Sequence, residues 1–298
     1  MSNATAACAL PYRPVAVFVG GTAGIGAGMA KTFAQHHNGD AHIIIVGRNR
    51  QAAQQLIATF PKPAEGVEPQ YEFVECDASL MKNVRKTTAE LVQRLPKVNF
   101  LVVSQGIIST KADKTEEGID KRLALNYYSR WTFAYELIPL LQKAADANED
   151  AKFMTVLNSH EQPESAIGPD NLNLQKNYSI GALFKFACTA NNAMVESFAE
   201  KYPELSFTHI YPGFVKTDIA STSDDWKVRF LSPLASIIVR FGGVSPETCA
   251  EKMWHGLYAS PKTGWFRKDS RGEEMSPKSI SPESRNKLWD HTLEVTGC

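Results

Sequence analysis

Four glycines stand close together near the start of the chain, at Gly20, Gly21, Gly24 and Gly26. They follow an apolar run at 15–19, which predicts a buried parallel strand, and they precede a stretch with the apolar spacing of a helix. A tight turn from strand to helix points backbone N–H groups and the positive end of the helix at one place, where a phosphate binds. Glycines remove the Cβ atoms that would keep a pyrophosphate away. The chemistry that these residues predict is the binding of a dinucleotide.

Two arginines follow the second predicted strand, in the sequence Gly47-Arg48-Asn49-Arg50. An acidic residue at this place would bind the ribose 2′-hydroxyl, whereas an arginine matches a 2′-phosphate through charge-assisted, bidentate hydrogen bonds. We therefore expect NADP(H) rather than NAD(H), with Arg48 as the favoured contact and Arg50 as the second choice. The competing interpretation is a pair of solvated arginines on a surface loop.

Alternating strands and helices have to position these residues. After the first strand, apolar runs predict strands at 42–46, 71–76, 99–104, 152–158 and 206–211, and helical spacing predicts helices at 51–59, 82–95, 120–142, 180–201 and near 287–295. Regular alternation predicts an α/β fold, a Rossmann-type doubly wound parallel sheet with helices on both faces, in which ligands bind beyond the carboxyl ends of the strands. We expect a single domain over residues 1–298, with a core at about 13–220 and a C-terminal extension at about 266–298.

Composition excludes several classes of function. The chain has 298 residues, 43% of them hydrophobic, and its 32 basic residues balance 32 acidic ones, so no excess charge attracts nucleic acid or a membrane surface. No apolar run approaches the ~20 residues needed to span a bilayer, and the first residues lack the pattern of a signal peptide. Five cysteines, an odd number without C-x-x-C pairing, favour reduced thiols. We expect a cytoplasmic enzyme without a metal site.

The spacing of the glycines narrows the prediction. Gly20, Gly24 and Gly26 give G-x-x-x-G-x-G instead of G-x-G-x-x-G, with Thr22 and Ile25 between them. This variant resembles the short-chain dehydrogenase/reductase family. Further motifs of the family recur in the same order along residues 13–220.

The resemblance implies a role for each of these motifs. Asp77, directly after the third strand, corresponds to the residue that binds the adenine amino group, although it could equally be a turn residue. Ser104-Gln105-Gly106 stands where the family usually has Asn-Ala-Gly, so the glycine is kept and the amide has moved by one residue. Residues 212–217 match P-G-x-x-x-T, whose backbone and threonine bind the nicotinamide carboxamide. The expected cofactor-binding residues are Gly20, Thr22, Gly24, Ile25, Gly26, Arg48, Asn49, Asp77, Ser104, Gln105, Gly106, Pro212, Gly213, Val215 and Thr217.

The resemblance also implies a catalytic tetrad, which this chain keeps only in part. Asn126 corresponds to the helix asparagine of the tetrad. Tyr178 is the expected proton donor, but Ala182 stands four residues on, where the family has lysine. Lys185 is the nearest replacement, about 10 Å further along a helix, and is otherwise a solvated lysine. Without the lysine, Tyr178 should keep a pKa near ~10, which favours ketone reduction over alcohol oxidation.

The residue that orients the substrate oxygen is left open between two neighbours. Ser159 and His160 both follow the fifth strand at the expected place. His160 could itself donate a proton, since its unperturbed pKa is near ~6.5. Equally, it could be a hydrogen-bonded loop residue.

The expected substrate is a sizeable, apolar small molecule. The family places its substrate lid at about 217–246, and apolar residues dominate this part of the chain. This lining favours a terpenoid, a polyketide or a prenylated aromatic, while the same residues could form a dimer interface or a lipid contact. The apolar residues in question are Trp226, Phe230, Leu231, Leu234, Ile237, Ile238 and Phe241.

The degenerate tetrad and the phrases YSIGALFK and LWDHTLEVTG resemble divergent members of the family from fungal secondary metabolism. This resemblance implies an NADPH-dependent reductase of a bulky apolar carbonyl or imine. The alternatives are a redox-neutral isomerase or cyclase that reuses the pocket, with Arg130, Glu161 and Asp170 as acid–base candidates, and a non-catalytic NADP(H)-binding protein. A homo-oligomer through the two helices that flank the fourth and fifth strands is a further implication.

Overall fold

A computed structural model describes residues 10–168, 172, 178–217, 225, 230, 243–276 and 278–298. Seven strands form one sheet in the order β3-β2-β1-β4-β5-β6-β7, and every neighbouring pair is parallel. The strands are β1 (Val15–Val19), β2 (His42–Gly47), β3 (Gln70–Glu75), β4 (Phe100–Val103), β5 (Lys152–Val156), β6 (Ser206–Ile210) and β7 (Gly264–Lys268). The predicted doubly wound parallel sheet is confirmed.

Helices cover both faces of the sheet, and each face has its own apolar cluster. One cluster joins the sheet to α1, α2 and α7, and the other joins it to α3, α5, α6 and α8. The helices are α1 (Gly24–His36), α2 (Arg50–Ile57), α3 (Met81–Arg94), the short α4 (Lys121–Leu123), α5 (Ser129–Asp146), α6 (Ile180–Lys201), α7 (Pro246–Ala259) and α8 (Pro282–Thr296).

Burial follows from this layering. Every residue of β1, β4, β5 and β6 is buried, because helices pack on both sides of these strands. The edge strand β3 buries only Val74. Because α1 and α5 lie on opposite faces, a crevice opens where the carboxyl ends of β1 and β4 lie side by side.

The C-terminal part of the chain differs from its prediction. Residues 266–268, which were expected to begin a turn-rich extension, belong to β7, which pairs with β6 in register from Ser206 and Gly264 onward. The strand was missed because it has only five residues and a charged end. Helix α7 was also missed, although Ser245 accepts a hydrogen bond from Thr248 N in the manner of an N-cap.

Helix α8 packs its aromatic side against α5 and α6. The ring of Trp289 lies 5.0 Å from Trp131 and 4.9 Å from Phe198, between ring centroids, and Tyr127 shares a hydrogen bond with Thr292. The predicted association of two copies through α5 and α6 stays a prediction, and α8 occupies part of that surface.

We expect the variant Trp289→Ala to lose about 3–5 kcal/mol of unfolding free energy, because a large buried ring leaves a cavity between three helices. Urea denaturation followed by circular dichroism measures this loss. Trp289→Phe, which keeps a ring in the same place, should retain most of the stability. An unchanged midpoint in Trp289→Ala would show that α8 does not contribute to the fold in solution.

No helix within the described ranges is both long enough and apolar enough to cross a bilayer. Most of the predicted substrate lid, 218–224, 226–229 and 231–242, lies outside the described residues, as does Asp170. Of its apolar residues Phe230 is described, and it is exposed.

Candidate nucleotide and active site

A cleft of about 430 Å³ opens at the carboxyl ends of β1, β2 and β4. Its lining joins segments that are distant in sequence, as the crevice of a doubly wound sheet requires. Among the predicted cofactor residues, the lining includes Gly20, Thr22, Gly24, Ile25, Gly26, Arg48, Asp77, Ser104, Gln105, Gly106 and Thr217. Asn49, Pro212, Gly213 and Val215 are not among the lining residues.

A larger groove of about 740 Å³ runs along the edge strand β3. Its rim carries charges of both signs, including Arg50, Lys86, Arg94 and Glu90, and it contains no residue of the glycine turn. We place the site in the smaller cleft, because that cleft has the backbone geometry for a phosphate.

The glycine turn has room for a nucleotide but none for side chains. Gly20 adopts a positive φ of 78°, and a Cβ atom there would lie 2.7 Å from the backbone nitrogen of Gln105. A Cβ atom on Gly26 would lie 2.4 Å from both the carbonyl oxygen of Gly20 and the Oγ of Ser104. Substitution at either position would therefore displace backbone.

The N-terminus of α1 is left open beside this turn. Its N-cap residue, Ala23, makes no side-chain hydrogen bond to the helix, and the first turn contains no acidic residue. The first N–H groups of a helix need acceptors, and an anion can supply them. The bare turn and the uncapped helix fit the phosphates of a dinucleotide.

Arg48 and Arg50 differ in their surroundings. Arg50 forms an ion pair with Glu75 at 3.4 Å, and its guanidinium lies over the ring of Phe73 at 4.9 Å. Arg48 lines the cleft, is exposed, and has no ion-pair partner among the described residues. Asn49 caps α2 by accepting a hydrogen bond from Ala52 N at 3.0 Å. Arg48 is therefore the arginine available to a ligand.

The cleft continues along the residues that follow β3 and β4. Asp77 Oδ1 accepts hydrogen bonds from the backbone and side chain of Ser79, at 3.0 and 2.7 Å, and thereby fixes the turn. Ser104 Oγ donates to the carbonyl oxygen of Val19 at 3.1 Å and ties β4 to β1. The Gln105 amide is buried and donates to Ser129 Oγ at 3.0 Å, so it serves the packing of α5.

Asn126 lies in a π-helical turn, Ala124–Tyr128, between α4 and α5. Such turns free a backbone carbonyl, and here the carbonyl oxygen of Asn126 accepts a hydrogen bond from Asn191 Nδ2 at 2.8 Å. Its side-chain oxygen faces Gly106, at 2.5 Å from the position of a Cβ atom there. The structure therefore brings Asn126 to the predicted glycine beside the cleft.

The P-G-x-x-x-T segment passes over the glycine turn. Gly213 adopts a positive φ of 73°, and Lys216 N donates to the carbonyl oxygen of Val244 at 2.9 Å. The methyl group of Thr217 would lie 3.2 Å from a Cβ atom on Gly24. Val215 pairs with Val244 in an isolated bridge and so positions the segment.

Tyr178 lies just before α6 and outside the lining of the cleft. Its hydroxyl donates to Asp120 Oδ2 at 2.6 Å and accepts from Arg122 Nη2. Partial burial and the hydrogen bond to Asp120 raise the pKa of Tyr178 to about 12, although Arg122 acts in the opposite direction. Tyr178 is therefore protonated throughout the physiological range.

The other predicted catalytic residues point to different places. Ser159 is fully buried, and its Oγ donates to the carbonyl oxygen of Lys268 at 2.7 Å. His160 is exposed and bonds through Nδ1 to Asn158 Oδ1 at 2.8 Å. Lys185 is exposed on α6. The structure shows no contact that joins Tyr178 to Ser159, His160 or Lys185.

Helix α6 meets the residues that follow β5 through Cys188. Asn191 anchors the helix to Asn126, and the thiol of Cys188, one turn earlier, accepts a hydrogen bond from the backbone of Asn158. Phe184, four residues before Cys188, is half exposed. Since residues four apart share one side of a helix, Phe184 and Cys188 form an F-x-x-x-C pair. The spacing counted from Tyr178 does not predict this pair.

Comparison with known proteins shows which family the chain belongs to. Residues 14–148 match the family described as short chain dehydrogenase. Oxidoreductase AN1596 from Emericella nidulans is 33% identical over 311 residues, which cover 93% of this chain and 91% of that protein. The chain belongs to the short-chain dehydrogenase/reductase family.

Other relatives of this short-chain dehydrogenase extend the comparison. Oxidoreductase andH from Emericella variicolor is 34% identical over 226 residues, 75% of this chain but only 63% of that protein, less than two thirds of its length. The NADPH-bound carbonyl reductase from chicken fatty liver has a TM-score of 0.62 at 19% identity, over 90% of this chain and all of that chain. A 3-ketoacyl-(acyl-carrier-protein) reductase from Brucella melitensis, complexed with NADH, has a TM-score of 0.59, also at 19% identity, over 87% of this chain and 98% of that chain. These structures show the fold.

The nucleotide half of this short-chain dehydrogenase fits a nicotinamide dinucleotide. The turn at Gly20–Gly26 is bare, α1 is uncapped, and Thr217 lies over Gly24. The proton-transfer half departs from the family, because Ala182 stands four residues after Tyr178, where the family has lysine, and the residue of α6 that contacts Asn158 beyond β5 is Cys188. Nucleotide binding and proton transfer therefore depend on different residues.

Proposed function

We propose that this short-chain dehydrogenase is an NADPH-dependent reductase of a bulky apolar carbonyl or imine in fungal secondary metabolism. The observation that carries the proposal is the cleft, in which a bare glycine turn faces Arg48, an arginine without an ion-pair partner among the described residues. The fungal origin of AN1596 and andH supports the metabolic setting. We further propose a single-domain, cytoplasmic protein, which agrees with the four free cysteines of the described ranges.

Each end of the cleft has its own ligand group in this proposal. The N–H groups at the start of α1 bind the pyrophosphate, and Arg48 binds the 2′-phosphate through charge-assisted hydrogen bonds. The second carboxylate oxygen of Asp77 remains for the adenine amino group, since Oδ1 is engaged by Ser79. Thr217 and the backbone around Val215 hold the carboxamide.

Tyr178 is the proton donor that we propose. A bound nicotinamide would supply the hydride and its two electrons, and Tyr178 holds the proton that the carbonyl oxygen takes up. Arg122 contacts the phenol oxygen and favours the phenolate left by proton transfer, a role that the family's lysine would otherwise have. Because the pKa of Tyr178 is about 12, almost no phenolate exists at neutral pH, and alcohol oxidation lacks its base.

A redox-neutral isomerase or cyclase is the second candidate, together with a non-catalytic NADP(H)-binding protein. The observation that favours both is that Phe184 and Cys188, a half-exposed ring and a buried thiol four residues apart on α6, supply neither a phenol nor a cation. Burial raises the pKa of the Cys188 thiol to about 12, so it is neither an acid nor a nucleophile at neutral pH.

The amount of NADPH consumed separates these functions. For the reductase, we expect one NADPH to be oxidised for each molecule of product, measured as loss of absorbance at the wavelength of the reduced nicotinamide alongside chromatography of the product. The substrates are a panel of apolar cyclic ketones, enones and imines. Product formed at constant NADPH would identify the isomerase or cyclase, and binding without turnover across the panel would identify the non-catalytic protein.

A further inference from the structure

Arg130 is a buried cation at the carboxyl ends of β4 and β5. It lies on the first turn of α5 with 1% of its surface exposed. Its Nη1 donates to the carbonyl oxygen of Val156 at 2.7 Å, its Nη2 to that of Gln105 at 2.5 Å, and its Nε to that of Leu125 at 3.3 Å. Nη1 also donates to Thr155 Oγ1 at 3.1 Å. The guanidinium is thus held in one orientation by neutral acceptors.

The charge of Arg130 has no counter-ion among the described residues. The two titratable groups beside it are the Cys188 thiol, whose pKa burial raises, and His209, whose pKa burial lowers well below its usual range. Both are neutral at physiological pH. Burial lowers the pKa of Arg130 to about 9, which still leaves it protonated at neutral pH. The field of the guanidinium is therefore neither neutralised locally nor screened by water.

Arg130 stands directly behind the wall of the cleft. Its Nη2 lies 3.5 Å from the position that a Cβ atom on Gly106 would take, and Gly106 lines the cleft together with Gln105. Asn126, one turn earlier on the same helical segment, faces the same glycine. Gly106 follows β4, three strands away from β3 and Asp77 in the sheet, so the cation is at the half of the cleft away from Asp77. A dinucleotide with its adenine at Asp77 would extend its nicotinamide toward this half.

We propose that Arg130 is a positioning residue whose fixed charge makes the cleft bind NADPH more tightly than NADP⁺ and select substrates that are neutral or become anionic. This inference rests on the proposed function. The oxidised nicotinamide ring carries a positive charge and the reduced ring carries none, so a nearby buried cation disfavours only the oxidised form. The same field stabilises the oxygen anion that forms when a carbonyl accepts hydride, and it opposes an iminium cation. Of the carbonyl and imine classes, it therefore favours carbonyls.

The affinities of the two cofactor forms test this inference. For a ring about 10 Å from this charge, an effective dielectric constant of about 20 would give a roughly tenfold change in the affinity ratio. We expect the wild-type protein to bind NADPH at least about tenfold more tightly than NADP⁺, and R130M to reduce this preference by roughly that factor. Calorimetric titration with each form gives both dissociation constants. A purely structural role would weaken both forms equally.

The conservative variant R130K is the matched control. Because burial lowers the pKa of a lysine here as it does that of the arginine, R130K is titrated at about pH 6, where its charge is better kept. It loses the forked hydrogen bonds, so its thermal stability should fall while its preference for NADPH remains close to that of the wild type. If R130M does not fold, the affinities of R130K test the inference on their own. Equal affinities for NADPH and NADP⁺ in R130K would overturn it. An unchanged ratio in folded R130M would also overturn it. If the wild type binds neither form, the proposed function itself fails.

Discussion

Replacement of Tyr178 by phenylalanine is expected to lower the rate of carbonyl reduction at least about 100-fold, because general acid catalysis typically contributes that much or more. The affinity for NADPH should not change, since Tyr178 is not among the residues that line the nucleotide cleft. Its hydroxyl is the group that contacts the Arg122 guanidinium and Asp120, and phenylalanine removes it with little change in volume. Initial rates with saturating NADPH, together with fluorescence titration of NADPH, measure the two quantities.

Tyr135→Phe is the control for loss of a phenol hydroxyl elsewhere. Tyr135 stacks on Trp131 at 4.7 Å, on the side of α5 that faces α8, and has no role in the proposed chemistry. Its variant should react at the wild-type rate. If Tyr178→Phe also keeps its rate, the proton comes from His160 or from water.

Local sequence patterns were sufficient to predict six of the seven strands and most of the residues that line the cleft. The turn at Gly20–Gly26 is formed by residues of one strand-turn-helix unit. Its glycines stand where a Cβ atom would clash with neighbouring atoms, so their spacing predicts the turn. The place of Arg48 could also be predicted from local sequence, because Arg48 directly follows the buried strand β2. The apolar runs of β2 and β4 predict buried strands, and every residue of the two strands except His42 is buried.

The surroundings of Tyr178 could not be predicted, because they depend on where helix α6 begins. Tyr178 was treated as the first member of an i, i+4 pair, yet α6 begins at Ile180 and Ser179 is its N-cap, with its side chain accepting from Ala182 N. Tyr178 therefore precedes the helix, and the spacing rule does not apply to it. Ser179 was the available signal, since serine is a favoured N-cap residue.

The burial of Arg130 is a second feature that could not be predicted from the sequence. An arginine on an amphipathic helix is usually solvated, and nothing local in the sequence shows that this one is buried. Its partners are carbonyl groups at Gln105 and Val156, 25 and 26 residues away. Only the assembled sheet places these groups around the guanidinium.

Replacement of Arg48 by alanine is expected to weaken NADPH binding roughly 30- to 100-fold and NADH binding less than about threefold. The reason is that one or two charge-assisted hydrogen bonds to the 2′-phosphate, each worth about 1.5–3 kcal/mol, are lost for NADPH and are absent for NADH. Dissociation constants for both nucleotides, measured at one salt concentration, give the preference of each variant. The proposal concerns the difference between the nucleotides, so a general loss of affinity does not support it.

Arg50→Ala supplies the comparison that makes this result specific. Arg50 stands two residues further along, but its guanidinium is held by Glu75 and by the ring of Phe73, and it lines the groove that runs along β3 instead of the cleft. Arg50→Ala removes one positive charge two residues from Arg48. A diffuse electrostatic effect would therefore weaken NADPH binding in both variants alike. A contact between Arg48 and the 2′-phosphate predicts the loss in Arg48→Ala alone. Equal losses of NADPH and NADH affinity in Arg48→Ala would remove the basis for NADP(H) preference and leave the bare glycine turn as a site for either dinucleotide.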